Sequence, residues 1–282
     1  MNKNLKLAIG SFFFALILSW NIQARAAWEA GTKVGFDSNI DRAIDGGEND
    51  FYISAYVSLS REPKGESRID WFVTTTVEGT AYKKISGLDY GEITLAPGVL
   101  YLPHRLLSIT ISPFFQAKSV SDSDQSALAF GGKASLRQQI RPDFYLGQYY
   151  IYRNSTAEVD TYSFEEHVIG IYGGLNWTSS IFSEIGYEYS HGDSFRSLNS
   201  SLTETHNNMQ HSHGKRLRRR YSSTFETFVI KETVDRNAVG VNIGIDWNKS
   251  FFSLVDYTFS NIKGDSGVST SHSGFVGIGY KF

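Results

Sequence analysis

Three clusters in this sequence carry side chains able to do chemistry. Residues 190–194 read Ser-His-Gly-Asp-Ser. An imidazole beside a hydroxyl is the minimum for nucleophilic acyl chemistry, with the ring taking the hydroxyl proton as a carbonyl is attacked. Spacing argues against that pairing here. His191 and Ser194 are three apart, so on a strand they point to opposite faces unless it ends or bulges between them. Asn237 is the one residue that can be named to orient the imidazole. A strand end closed by a Gly-Asp turn accounts for the same residues. The second cluster is His206, His211 and His213 with Glu204. It lacks the acid and thiolate company of a metal centre, so neither a metal site nor a cofactor is expected. The third is Lys215, Arg216, Arg218, Arg219 and Arg220, five bases in six positions, which suit an anionic partner or a solvated loop.

A fourth set is dispersed and periodic. Glu29, Asp37, Asp70, Glu78, Glu92, Glu184, Glu188, Asp246 and Asp256, with Lys33, Lys133, Arg137 and Lys281, all fall on the polar phase of segments whose alternate positions are apolar. In residues 238–248, Val239, Val241, Ile243, Ile245 and Trp247 alternate with Ala, Gly, Asn and Asp. That period of two is a strand with one apolar and one polar face. The same pattern runs through 28–36, 51–59, 69–77, 93–101, 107–115, 128–136, 144–152, 251–259 and 276–282. It is less clean in 167–177 and 181–189. Twelve strands are thus expected, with fourteen as the alternative. Each is about as long as a tilted strand needs to cross a bilayer.

Short connections (62–65, 103–104, 141–142, 178–179, 248–249) alternate with longer ones (38–50, 81–86, 120–125, 155–159, 192–234, 263–270). Aromatic residues end the apolar faces at Trp28, Tyr101, Trp177, Trp247, Tyr280 and Phe282. Together these features fit an antiparallel up-and-down transmembrane β-barrel better than a soluble sandwich. The short turns would face the periplasm and the long loops the outside.

The composition agrees. Among 282 residues there are 26 Gly, 5 Pro, no Cys and 15% aromatics. The mean hydropathy of -0.25 excludes a bundle of membrane helices. Without cysteine, no disulfide or thiolate metal site can hold the fold. The single apolar run, 7–20, follows Lys3 and Lys6 and precedes Ala24-Arg25-Ala26, as in a secretory signal. Residues 1–26 are therefore read as a cleaved signal peptide and 27–282 as one barrel domain, with 192–234 as a long basic, histidine-containing outer loop. Removing Lys3, Lys6 and Arg25 leaves 24 basic against 29 acidic side chains, so no nucleic-acid partner is expected. For an exported chain the anions available to residues 215–220 are lipopolysaccharide phosphates or acidic glycans.

The last strand runs from Gly274 to Phe282, with Val276, Ile278, Tyr280 and Phe282 on one face. It resembles the C-terminal signal of bacterial outer-membrane proteins. That resemblance implies the barrel-assembly machinery and periplasmic chaperones as partners, alongside outer-membrane lipid. More finely, residues 34–40 (Val-Gly-Phe-Asp-Ser-Asn-Ile), Gly186-Tyr187-Glu188-Tyr189 running into Gly192-Asp193-Ser194, Asp235-Arg236-Asn237 and Tyr257-Thr258-Phe259 are similar to β-barrel porins found near exopolysaccharide genes. The His191/Ser194 cluster distantly resembles the outer-membrane phospholipases and lipid A deacylases.

The expected function is a porin-like outer-membrane channel with an acid-biased lumen. Its lining would include Glu92, Lys133, Arg137, Glu184, Glu188, Asp246 and Asp256. The excess of acids would favour cations. Inward aromatics Tyr52, Tyr56, Phe72, Tyr149, Phe182, Phe252 and Phe275 leave open a plugged, structural barrel linked to surface polysaccharide. An outer-leaflet lipid hydrolase and an accessory subunit of a secretion assembly would also be compatible with a barrel of this size.

Overall fold

Each of the twelve alternating segments is a strand, and in ring order they close on themselves. The computed structural model describes residues 26–44, 47–63, 67–198 and 219–282. The strands are β1 (Ala26–Asp37), β2 (Asp50–Arg61), β3 (Ile69–Tyr82), β4 (Tyr90–His104), β5 (Leu107–Val120), β6 (Ala127–Arg141) and β7 (Phe144–Ala157). Then come β8 (Phe164–Asn176), β9 (Ile181–Leu198), β10 (Arg219–Ser222), β11 (Thr227–Asp246), β12 (Phe251–Gly264) and β13 (Gly267–Lys281). All pairings are antiparallel. β1 closes on β13 and β9 pairs directly with β11, so twelve strands form the barrel and β10 is a short addition to the edge of β11. The signal-peptide reading lies outside the described residues up to position 25, and β1 begins at Ala26.

Alternation decides which way the barrel faces. Val34, Ile53, Ile111, Ile169, Ile185 and Ile278 are each more than half exposed on the outside, and the same phase of every strand carries large apolar side chains. A water-soluble protein does not expose apolar surface around its whole circumference. The belt faces hydrocarbon, and closure leaves no unpaired strand edge within it. This is the architecture of bacterial outer membranes.

One end of the barrel carries short turns (105–106, 142–143, 177–180 and 247–250), the segment joining β2 to β3, the start of β1 and Phe282. The other end carries the loops. The twelve barrel strands run from twelve residues in β1 to twenty in β11, against the roughly 9–11 needed to span, so they project beyond the membrane at the loop end. Two expected loops differ. The long connection expected at 263–270 is a two-residue turn at 265–266, made possible by Gly267 at φ +137°. Much of the expected loop 192–234 is strand: β9 continues to Leu198, and β10 and β11 occupy 219–222 and 227–246. Period two disappears from the sequence there because no lipid face remains to demand it.

Candidate functional site: the lumen and its cover

The polar phase of the strands lines the interior, and nine of its aromatic rings follow one rule. Tyr52, Tyr56, Phe72, Phe114 and Tyr145 each stand directly across the ladder from a glycine: Gly35, Gly31, Gly98, Gly131 and Gly174 respectively. Tyr149 faces Gly170, Tyr172 faces Gly147, Phe182 faces Gly244 and Phe252 faces Gly279. In every pair the ring occupies the place that a Cβ on the glycine would need. The rings therefore lie flat along the wall rather than across the lumen. Six of the seven residues expected as a plug are wall panelling; Phe275, with Lys33 5.5 Å from its ring centroid, is not held against a glycine in this way.

Three of these rings, and Tyr90 across from Thr80, carry hydroxyls that meet carboxylates along the same wall. Tyr56 donates to Glu29 (2.8 Å), Tyr90 to Glu78 (3.1 Å) and Tyr149 to Glu188 (2.7 Å), while Tyr145 donates to Glu184. Cations cap the ring faces. Lys33 sits 5.0 Å from the Tyr56 centroid, Lys118 4.0 Å from Tyr90, Lys133 5.0 Å from Tyr149 and Arg137 3.6 Å from Tyr145. Each unit couples a cation, a ring and a carboxylate.

The sequence-derived lumen residues fall in these units or beside them. Glu92 accepts from Gln116 (2.7 Å), Asp37 from Ser271 (2.7 Å), and Glu78 is bridged by Lys33 (3.2 Å). Asp246 pairs with Lys281 at the turn end (3.6 Å), and Asp70 with Arg61 (3.6 Å). Asp256 lines the same cavity as Lys133, Glu184 and Glu188. Three bases were missed. Lys118, Arg153 and Arg236 lie on inward phases beyond the segments where alternation is clear. Arg236 pairs with Glu188 (3.2 Å) and Arg153 with Glu166 (3.5 Å). Glu166 was missed with Arg153 and offsets it, so Lys118 and Arg236 are the bases that narrow the acid excess read from the sequence.

Above the lumen, the loop end is covered. The hairpin of β10 and β11 rises from β11 and reaches the loops flanking β4 and β5, half-way round the barrel. There Thr224 donates to Asp122 (2.6 Å) and packs on Gly87, and Arg220 pairs with Asp124 (2.6 Å). Beneath it is a small apolar core of Leu88, Tyr162, Phe225 and Val229, with Ile40, Ile85 and Phe195 around it. Phe195 stacks on Phe225 at 5.8 Å, and Tyr162 meets it edge-on at 5.5 Å. Burial raises the Tyr162 phenol above its usual range.

Arg196 and Glu232 form a fully buried ion pair (2.9 Å) in this cover. Arg196 also donates to the Gly267 carbonyl (2.8 Å), while Glu232 accepts from the Ser266 backbone (3.0 Å) and hydroxyl. The sequence pattern marked none of these as functional, because above the membrane no period shows which side chain turns inward. Of the expected basic patch, Arg220 lies in this cover and Arg219 in β10. Lys215, Arg216 and Arg218, like His206, His211 and His213, lie outside the described residues.

The hydrolase pairing is not assembled. Ser194 is buried and accepts from Arg42 (2.6 Å), whereas His191 faces outward and holds Asp235 through Nδ1 (2.8 Å). The strand continues straight through the residues between them, so they keep opposite faces. Asn237, the intended orienting residue, instead accepts from Tyr187 (2.6 Å). Among the described residues no group of three His, Cys, Asp or Glu is placed to hold a metal ion.

The C-terminal face is as expected from the alternation. Val276, Ile278 and Phe282 are exposed on the outer belt, and Tyr280 meets Phe251 (4.8 Å) and Phe282 (4.7 Å) edge-on. The Phe282 amide donates to the Trp28 carbonyl (2.9 Å), tying the last residue to β1.

No protein-family model and no curated protein matches the sequence. Solved structures do. An outer-membrane channel from Pseudomonas putida F1 aligns with a TM-score of 0.58 at 8% identity, over 91% of this chain and 96% of that one. The KdgM porin in complex with disordered oligogalacturonate aligns at 0.52 and 10% identity (90% and 99% covered), and the NanC porin at 0.50 and 10% (90% and 100%). The fold is that of outer-membrane porins and channels. Identities this low carry the architecture and not the solute.

Proposed function

We propose that this chain is an outer-membrane channel for small polar solutes, with its loop end outside the cell and its turn end in the periplasm. The observation that carries the reading is the panelled lumen. Nine aromatic rings that would obstruct a twelve-stranded tube are each folded against a facing glycine, leaving a wall of paired charges and hydroxyls. A barrel built only for rigidity would gain more from packing those rings across its interior, as small filled barrels do. The neighbours of like fold are named as porins and channels, and one is named as holding an oligogalacturonate. The solute of this chain is set by its own lining, which mixes acids and bases rather than presenting one sign. The cover of β10, β11 and the loops then restricts entry from the outside. Uptake of small neutral solutes into liposomes carrying the refolded protein tests the reading. Swelling faster than in protein-free liposomes supports it, and equal rates refute it.

A further inference from the structure

The charges lining one cavity of the lumen are unequally satisfied. This cavity of about 370 Å³ is lined by the Tyr149 and Tyr172 rings and the small residues Gly186, Ala238 and Gly240, together with charged side chains. Glu188 is held by Tyr149 and Arg236, and Glu184 by Tyr145 and by the Asn242 amide (3.3 Å). Asp256 has only the Thr258 hydroxyl on its own strand. Lys133 has only the Tyr149 ring, and among the described residues neither belongs to an ion pair. The two stand apart, Lys133 on β6 and Asp256 on β12, strands nearly opposite in the ring.

Asp256 does not stand alone on its side. The ladder places Glu184 beside Asn242 and Asn242 beside Asp256 across β9, β11 and β12. In that row the Asn242 Oδ1 is buried and accepts no hydrogen bond. A carboxylate and, on the neighbouring strand, a buried carbonyl oxygen without a donor are acceptors suited to a three-donor ammonium group. Across the cavity, Lys133 offers donors suited to a carboxylate or phosphate oxygen.

We infer that this cavity binds a zwitterionic solute, its ammonium end at Asp256 and Asn242 and its anionic end at Lys133. The inference rests on the channel reading for its purpose, since it gives the class of solute selected in transit. A neutral solute leaves both charges without a partner. A simple cation satisfies Asp256 alone, and a simple anion satisfies Lys133 alone. Only a molecule carrying both signs, separated by several bonds, completes the two sites together.

Calorimetric titration of the folded barrel in detergent tests binding apart from conduction. The probes are γ-aminobutyrate, with butylammonium, butyrate and butyramide as matched controls. The inference predicts that γ-aminobutyrate binds about tenfold more tightly than any control, and that Asp256→Asn and Lys133→Gln each weaken it by about tenfold, the worth of one charge-assisted contact. Those variants should leave butyramide binding unchanged. Equal affinity for γ-aminobutyrate and butylammonium would remove Lys133 from the site and overturn the proposal, as would indifference to both substitutions. If either variant fails to fold, the probe series on the unaltered protein decides. Swelling of liposomes by neutral solutes is read separately, so a barrel that passes butyramide without preferring the zwitterion contradicts this inference alone. A barrel that binds the zwitterion and passes nothing contradicts the channel alone.

Discussion

A tyrosine on the inner wall of a barrel can put its ring across the lumen or along the wall, and the residue opposite it on the next strand decides. With no Cβ, Gly147 lets the Tyr172 ring lie over it, as Gly170 does for Tyr149 and Gly174 for Tyr145. Adding a methyl at Gly147 collides with that ring, which must turn into the lumen. Overpacking of this kind costs about 1–3 kcal/mol. Gly147→Ala should therefore lower the unfolding midpoint and narrow the passage, reducing solute uptake. The double variant Gly147→Ala with Tyr172→Ala should restore uptake while leaving stability reduced. A normal uptake rate in the single variant would show that the ring has room elsewhere. Which residues face inward was legible in the sequence, because a period of two runs through the membrane-spanning part of the strands, less cleanly in β8 and β9. That the rings lie flat was not. The contact of Tyr172 with Gly147 depends on the register between β7 and β8, and neither strand's own sequence states it.

At the scale of elements, the strands divide at the membrane surface. Below it lipid imposes alternation, and all twelve strands could be read. Above it β9 and β11 continue as Gly192–Leu198 and Thr227–Val234 without that pattern, so the sequence suggests a loop where the structure builds a cover. Chain there is ordered by specific contacts, of which the buried Arg196 and Glu232 pair is the most costly to break. Glu232→Gln leaves a buried guanidinium without its counter-charge, a loss of about 3–5 kcal/mol. That exceeds what a local cover tolerates but is spread against a closed barrel held by every strand. Limited proteolysis should cut residues 192–198 or 227–232 in the variant while heat-modifiable mobility of the barrel persists. Loss of the folded barrel would mean that the pair supports the whole fold and not its cover.

For the molecule as a whole, closure joins the first strand to the last, and the terminal residue sits at that seam. The Phe282 amide bonds to Trp28, and its ring continues the run of edge-on aromatic contacts from Phe251 through Tyr280. Phe282→Asp places a charge on the lipid face near an interface, where it costs only about 0–1 kcal/mol. Stability alone then predicts a mild defect. If the residue is also read during assembly, as the resemblance of the last strand implies, the amount of folded barrel in the membrane should fall severely while refolding in detergent stays nearly normal. Equal, mild losses in both settings would reduce Phe282 to an interface anchor.

The central claim is that the panelled lumen conducts. Planar bilayers carrying the refolded protein test it most directly, in the unaltered chain and in a variant lacking residues 219–226 of the cover. The account predicts discrete current steps whose size rises when those residues are removed. It also predicts a cation preference that is weakened, because Lys118 and Arg236 offset part of the acid excess, and that fades further as salt screens the lumen charges. Silence from both proteins, folded and inserted, would contradict the account and leave a closed structural barrel in its place.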